Sequence, residues 1–369
     1  MLAGPGVPKS LYYSFVENLD PALFQENERT AAVTDARRYA QVGSICGIPD
    51  VTIAYETWGE LSASCDNAVL ICHALSGDSH AIGWWERMIG PGKAIDTDRY
   101  FVIGTNCVGG CQGSTGPSSP APDGRPWGSR FPLVRIEDMI DAQERLLDQL
   151  GIDQLLGVAG GSMGGMMALE MTRRGRARKA WITASTRAHT AMQIGFNEVA
   201  RQAIVRDPQF LGGDFYGSKG PVQGLSVARM TGHLTYLSEF SFAQKFGRRP
   251  QEGKGAFGRD MFQVESYLSH QGDKFTQRFD ANTLIVVTNA IDIYDPPDIG
   301  KSEAEYLITS FGSDWIYPSH LSQKLDQWLR ENGLKSRWVD LESPLGHDSF
   351  LLDAEGQGPL VGAFFAEGR

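Results

Sequence analysis

Chemistry concentrates first at Gly160-Gly161-Ser162-Met163-Gly164, which follows the apolar residues 155–159 and precedes the helix-forming residues 166–171. A serine on a sharp strand-to-helix turn presents its hydroxyl, flanking glycines permit the strained backbone, and the helix start favours developing negative charge. The chemistry of such a serine is acyl transfer or acyl hydrolysis. A Gly-x-Ser-x-Gly string also arises by chance in a chain with 43 glycines, so its setting and its partners must decide.

A serine hydroxyl is a poor nucleophile until a base takes its proton, and the base needs an orienting carboxylate. With the serine on this kind of turn, the chain order is serine, acid, histidine. Two histidines follow the last β-type runs. His347 lies in Pro344-Leu345-Gly346-His347-Asp348, directly after the apolar run 337–341, where the base belongs; His320 opens an amphipathic stretch and reads as a surface residue. Asp314 follows the run 306–309, so it projects from the carboxyl end of a strand, where open α/β sheets place ligand-facing groups. A turn aspartate would look the same. Asp292, Asp295 and Asp298 are rivals, but no strand end stands beside them. An oxyanion needs two N–H donors: that of Met163, and one from an early strand-to-helix loop. The loop 73–78 follows the apolar run 68–72 and nominates Leu75, with His73 as a structural loop residue.

The elements that must carry these residues follow from pattern. Short β-type runs occur at 51–55, 68–72, 100–104, 155–159, 180–184, 306–309 and 337–341, and the nearly continuous apolar ones suit a sheet buried on both faces. Residues 136–150 have helical apolar spacing and stop at Gly151. Strands alternating with helices predict an α/β chain with a mostly parallel, doubly wound sheet. From about residue 188 the chain turns rich in Gln, Met, Phe and Tyr with few β-type runs. The expected organisation is one core, 1–187 plus 301–369, with a helical lid inserted at 188–300.

Composition excludes several classes. A net charge of −10 argues against broad nucleic-acid binding. No stretch reaches the roughly 20 apolar residues of a membrane span. Residues 1–18 lack a basic segment followed by an apolar one, so a cytoplasmic protein is expected. Five cysteines, an odd and sparse count, argue against a disulfide framework; Cys107 and Cys111 lack further ligands at metal-site spacing, so no metal is expected.

Several longer stretches resemble the homoserine O-acyltransferases, a family of the α/β-hydrolase fold. They are residues 71–80, residues 105–119, the serine turn 160–166, Ala228-Arg229-Met230-Thr231-Gly232-His233-Leu234-Thr235-Tyr236-Leu237-Ser238, Gln271-Gly272-Asp273-Lys274-Phe275, and the loops around Asp314 and His347. The matches run in order from about residue 40 to 355. The resemblance implies an α/β-hydrolase fold with a helical lid and a triad of Ser162, Asp314 and His347, the set that strand order also selects. It implies that Arg229, Tyr236 and Asp348 hold the amino-acid substrate. Arg229 would pair with its carboxylate, which is sensible charge-assisted chemistry, and Asp348 would hold its ammonium.

The implied reaction belongs to methionine biosynthesis. An acetyl group passes from acetyl-CoA to Ser162 and then to L-homoserine, in a ping-pong sequence with no permanently bound cofactor. Succinyl transfer, and serine as acceptor, remain alternatives, as does a serine-triad hydrolase that gives the acyl group to water. The resemblance also implies small-molecule partners and a homodimer. Departures from the family pattern stand at Met167, Met171 and Arg130 and leave the triad positions intact. Lys245, Arg248, Arg249, Lys254 and Arg259 form a basic stretch suited to coenzyme A phosphates, and the run 173–179 reads as a solvated helix end.

Overall fold

The computed structural model describes residues 36–251 and 261–367. The reading of residues 1–18 therefore lies outside the described residues, as do Lys254 and Arg259. The frame is an eight-stranded sheet in the order β1-β2-β6-β3-β7-β8-β9-β10. Its strands are β1 (Arg38–Gln41), β2 (Thr52–Trp58), β3 (Ala68–Cys72), β6 (Phe101–Thr105), β7 (Gly157–Gly161), β8 (Lys179–Thr183), β9 (Glu305–Phe311) and β10 (Ser336–Leu341). From β6 to β10 all neighbours run parallel, while β1 and β2 join antiparallel at one edge. A two-stranded ribbon, β4 (Ile89–Gly90) with β5 (Ile95–Asp96), stands apart.

The seven expected runs all become strands of this sheet, with ends shifted by up to three residues. Strand β1 was not legible: its sequence Arg-Tyr-Ala-Gln is polar and mostly exposed, an edge strand held by pairing with β2. The central strands show why the others were legible. In β3, Ala68, Leu70 and Cys72 enter one apolar cluster while Val69 and Ile71 enter another, so both faces are covered.

Helices in chain order are α1 (Ala81–Trp84), α2 (Ile136–Gln149), α3 (Met163–Arg173), α4 (Ala191–Val205), α5 (Val222–Tyr236), α6 (Glu239–Lys245), α7 (Gln263–Thr276), α8 (Ala281–Ile293), α9 (Ser319–Glu331), α10 (Ser349–Leu352) and α11 (Ala354–Ala366). Helix α2 buries Met139, Ile140, Leu146 and Leu147 against one sheet face, each contributing roughly 1.5–3 kcal/mol. On the other face Trp85 stacks on Trp181 with centroids 4.8 Å apart, beside Phe350 and Phe365.

Between β8 and β9 the described residues form helices α4 to α8 and no named strand. Ala200, Ile204, Phe215, Leu225, Ala228, Phe275 and Phe279 make a separate apolar cluster there. Helix α8 belongs to both bodies, because its Val287, Ala290 and Ile291 join the main core.

The basic run 173–179 is a fastening rather than a solvated helix end. Arg173 and Arg174 both grip Glu170, Arg173 also reaches Asp298, Arg174 reaches Asp141, and Arg176 pairs with Asp148. Lys179 donates to the carbonyls of Phe364 and Glu367 at 2.6 Å each. Among the described residues no helix is long and apolar enough to cross a membrane.

Candidate active site

The site is built where β7 turns into α3. Ser162 adopts φ 55°, ψ −123°, a region that costs a non-glycine residue roughly 1–3 kcal/mol and persists only where the surroundings fix it. They do so here: the Ser162 N–H donates to the Thr183 carbonyl, its carbonyl accepts from Gly165 N–H, and that carbonyl also takes the Ser185 hydroxyl at 2.7 Å. Gly164 is required by close approach, since a Cβ there would lie 2.1 Å from the Cys72 carbonyl oxygen. The end of β3, which launches the loop carrying Leu75, is thereby pressed onto the first turn of α3. The Met163 N–H opens that turn.

The candidate base and acid, His347 and Asp314, come from the loops after β10 and β9. His347 is 4% exposed, and its Nδ1 lies 2.7 Å from Asp314 Oδ2. The other carboxylate oxygen, Oδ1, accepts the N–H groups of Ile316 and Tyr317 at 3.0 and 2.9 Å. With Oδ1 filled by two donors, Oδ2 accepts from His347 Nδ1–H, which leaves Nε2 as the acceptor. The imidazole is further held by rings: Tyr317 stacks at 5.1 Å and Phe350 meets it edge-on at 5.2 Å.

Ser162 and His347 open into a cavity of about 150 Å³ that Leu75, Arg229, Tyr236 and Asp348 also line. Asp314 and Met163 stand behind this wall. The junction of α5 and α6 is tied to the histidine and aspartate loops: Ser241 Oγ donates to the Pro344 carbonyl at 3.0 Å, Ser238 Oγ donates to the same oxygen, and Trp315 Nε1, beside Asp314, donates to Leu237 O. Gly346, at φ +76°, makes this contact possible, because a Cβ would meet Ser238 N at 2.5 Å and Tyr236 O at 2.7 Å.

Arg229 lies over the rings of Phe275 and Tyr236, at 4.6 and 5.6 Å, and its buried Nε has no hydrogen-bond partner. A guanidinium held by two aromatic faces is positioned to receive an anion. Burial raises the pKa of Tyr236, Arg229 opposes that rise and Asp348 adds to it, so the phenol stays protonated.

The rival aspartates have other work. Asp295 and Asp298 pair with Arg187 and Arg173, and Asp292 accepts from His189, Asn197 and Arg201. His320 is exposed on α9. His73 gives its Nδ1–H to Ala74 O and accepts the Cys107 N–H at Nε2. Burial lowers its pKa, and the neutral ring staples two loops. Of the basic stretch, Lys245 lies over Tyr267, Arg248 over Phe262, and Arg249 donates to Gln263.

The cavity wall also holds residues to which sequence reasoning gave no role, among them Asp78, His233 and Arg278. Arg278 donates to Ser76 O, and burial together with Arg229 brings its pKa down to about 10. Its only sequence signal is position, three residues beyond the noted stretch ending at Phe275. His233 sits inside a noted stretch but carried no role; burial, with help from Arg229, Lys245 and Arg278, lowers its pKa to about 2.

A family model described as the α/β hydrolase fold matches residues 67–354. The chain is 47% identical to a homoserine O-acetyltransferase of Solidesulfovibrio magneticus, over 88% of this chain and 87% of that protein. It is also 47% identical to a homoserine O-succinyltransferase of Nitrosospira multiformis, over 93% of this chain and 98% of that protein. Among solved structures, esterase E22 superposes with a TM-score of 0.83 at 27% identity, covering 89% of this chain and 99% of that one. The scaffold is thus compatible with acyl transfer to an amino acid and with hydrolysis, and the cavity must separate them.

Proposed function

The chain belongs to the homoserine O-acyltransferases of the α/β-hydrolase fold, and on that footing we propose that it moves an acetyl group from acetyl-CoA to the hydroxyl of L-homoserine through an acyl-Ser162 intermediate. His347 Nε2 takes the Ser162 proton as Oγ attacks the thioester carbonyl. The N–H groups of Leu75 and Met163 stabilise the oxyanion. Coenzyme A leaves with the proton. Homoserine then enters with its carboxylate on Arg229, near Tyr236, and its ammonium on Asp348. His347 deprotonates the homoserine hydroxyl, which attacks the acyl-serine, and Ser162 recovers its proton.

The observation that carries this reading over hydrolysis is that Arg229 and Asp348 both line the cavity that holds Ser162 and His347. A cation and an anion facing one small cavity suit an amino acid and serve no purpose for an apolar ester. Thiol release from acetyl-CoA tests it: release that depends on homoserine supports transfer, and release that ignores homoserine supports a hydrolase.

A specific observation favours a second donor. Arg278 lines the same cavity beside Arg229, and one amino-acid carboxylate needs only one guanidinium. A succinyl group would bring a second carboxylate. Acetyl-CoA and succinyl-CoA, each tested with homoserine and with serine, decide donor and acceptor together; a succinyl preference abolished by Arg278→Met would replace the acetyl reading.

The helices between β8 and β9 serve in this account as a lid over Ser162, and their outer face supports a homodimer: Met192 and Val199 on α4, and Val227 and Leu234 on α5, are 65%, 56%, 48% and 46% exposed. Apolar exposure of this extent suits burial against a second copy. Sedimentation equilibrium giving a monomer would remove that part. No cofactor or metal enters the scheme, and a cytoplasmic location accords with soluble acyl-CoA as co-substrate.

A further inference from the structure

A second carboxylate–histidine pair lies beyond Ser162. Tyr317 is 3% exposed, its ring stacks on His347 at 5.1 Å, and its phenol faces Ser162, whose hydroxyl works against the rise in the phenol's pKa. The same phenol oxygen is 2.6 Å from His189 Nε2, and His189 Nδ1 is 2.8 Å from Asp292 Oδ1. Side chains of His189 and Asp292 are 2% and 8% exposed. Asp292 is fixed in turn by Asn197 Nδ2 and Arg201 Nη1, each at 2.7 Å. Burial opposes its ionisation, but donors from His189, Arg201 and Asn197 outweigh burial and lower its pKa. The anion therefore accepts a hydrogen bond from His189 Nδ1–H, which leaves Nε2 free to accept the Tyr317 O–H. Burial raises the Tyr317 pKa, so the phenol keeps its proton.

Sequence reasoning set Asp292 aside because no strand ends beside it. The structure brings it from the end of α8 to His189, just before α4, and through Tyr317 to the serine.

We propose that Tyr317 is a catalytic residue that donates a hydrogen bond to Ser162 Oγ as negative charge develops there, and that His189 and Asp292 are positioning residues that hold the phenol for this task. At rest the Tyr317 O–H points to His189 Nε2. When His347 takes the Ser162 proton, the phenol re-aims the same O–H at Oγ; no bond of the tyrosine breaks and the proton count is unchanged. Oγ carries charge twice, as the attacking atom in acylation and as the leaving atom in deacylation, so both halves of the reaction gain. This rests on Ser162 being the nucleophile.

The test follows acylation of Ser162 with p-nitrophenyl acetate by the p-nitrophenol burst, which requires no knowledge of the natural donor or acceptor. Tyr317→Phe removes one oxygen and is expected to slow the burst about tenfold to a hundredfold, the worth of one charge-assisted hydrogen bond, with the homoserine KM unchanged. His189→Phe is expected to slow it several-fold, and His189→Gln, which keeps an acceptor, less than that. The double variant Tyr317→Phe/His189→Phe should equal Tyr317→Phe alone, because His189 acts only through the phenol. A burst in Tyr317→Phe within twofold of the parent overturns the proposal. So does an equal loss from His189→Phe with and without the phenol, which is the mark of a merely structural role. If Tyr317→Phe fails to fold, the contrast between His189→Phe and His189→Gln decides: equal rates overturn the proposal. A burst that survives Ser162→Ala instead refutes the nucleophile assignment itself, so the two failures are distinct.

Discussion

Replacing Asp314 with asparagine isolates the orientation of the base from its presence. The geometry dictates how the amide must lie. Oδ1 receives two backbone N–H groups, from Ile316 at 3.0 Å and Tyr317 at 2.9 Å, so the asparagine must place its carbonyl oxygen there; the reverse would set an NH₂ against two buried donors at a cost of about 1–3 kcal/mol each. The NH₂ then occupies the Oδ2 position, 2.7 Å from His347 Nδ1. It donates where the carboxylate accepted, so Nδ1 must lose its proton and Nε2 must gain one. The ring presents a proton to Ser162 and can no longer remove one. The corresponding change in a serine protease costs roughly 10⁴ in kcat, and we expect Asp314→Asn to lose about 10³- to 10⁴-fold, or roughly 4–5.5 kcal/mol of barrier. The near-isosteric swap should shift Tm by only a few degrees. The assay is homoserine-dependent thiol release from acetyl-CoA, with thermal unfolding in parallel. An Asp314→Asn enzyme within tenfold of the parent rate would refute the tautomer argument and leave Asp314 as a turn aspartate.

Other perturbations report on other parts of the account. Arg229→Ala should raise the homoserine KM by about 10- to 100-fold, the worth of hydrogen bonds to a charged group, while the acetyl-CoA-driven acylation of Ser162 changes less than threefold; equal damage to both halves would contradict substrate binding by Arg229. Gly164→Ala should abolish activity, since its Cβ would sit 2.1 Å from the Cys72 carbonyl and push the Leu75 loop off the serine; a soluble variant with near-normal burst kinetics would contradict that placement. His233, with its pKa near 2 in the folded state, stays neutral where the unfolded chain takes up a proton. Its contribution is therefore full above an unfolded pKa of about 6.5 and declines by about 1.4 kcal/mol per pH unit below it. His233→Gln should flatten the fall in Tm between pH 7 and pH 5, and an unchanged slope in thermal unfolding would contradict this.

The parts legible in the sequence share a physical cause. Strands β3, β6, β7, β8 and β9 are buried on both faces, so they read as short apolar runs whatever surrounds them. Ser162, Asp314 and His347 follow the ends of β7, β9 and β10, so chain order together with strand-end position selected them from four aspartates and two histidines. Strand β1 stayed hidden because its polar residues are ordered by pairing with β2 rather than by burial. Arg278, His233, Tyr317 and His189 were silent for another reason: they come from the segment between β8 and β9 and from the loop after β9, they are brought toward the serine by tertiary packing, and no local pattern marks such convergence. Asp292 shows the cost of a positional rule, since a carboxylate at a helix end can serve a histidine just as well as one at a strand end.

The central claim is that Ser162 carries the acyl group between donor and acceptor. Intact-protein mass spectrometry after mixing with acetyl-CoA alone tests it most directly, with peptide mapping to locate the adduct. One acetyl group is expected on Ser162, discharged as O-acetylhomoserine when homoserine is added and absent in Ser162→Ala. Formation of O-acetylhomoserine at the same rate with no acetyl group ever appearing on Ser162 would contradict it.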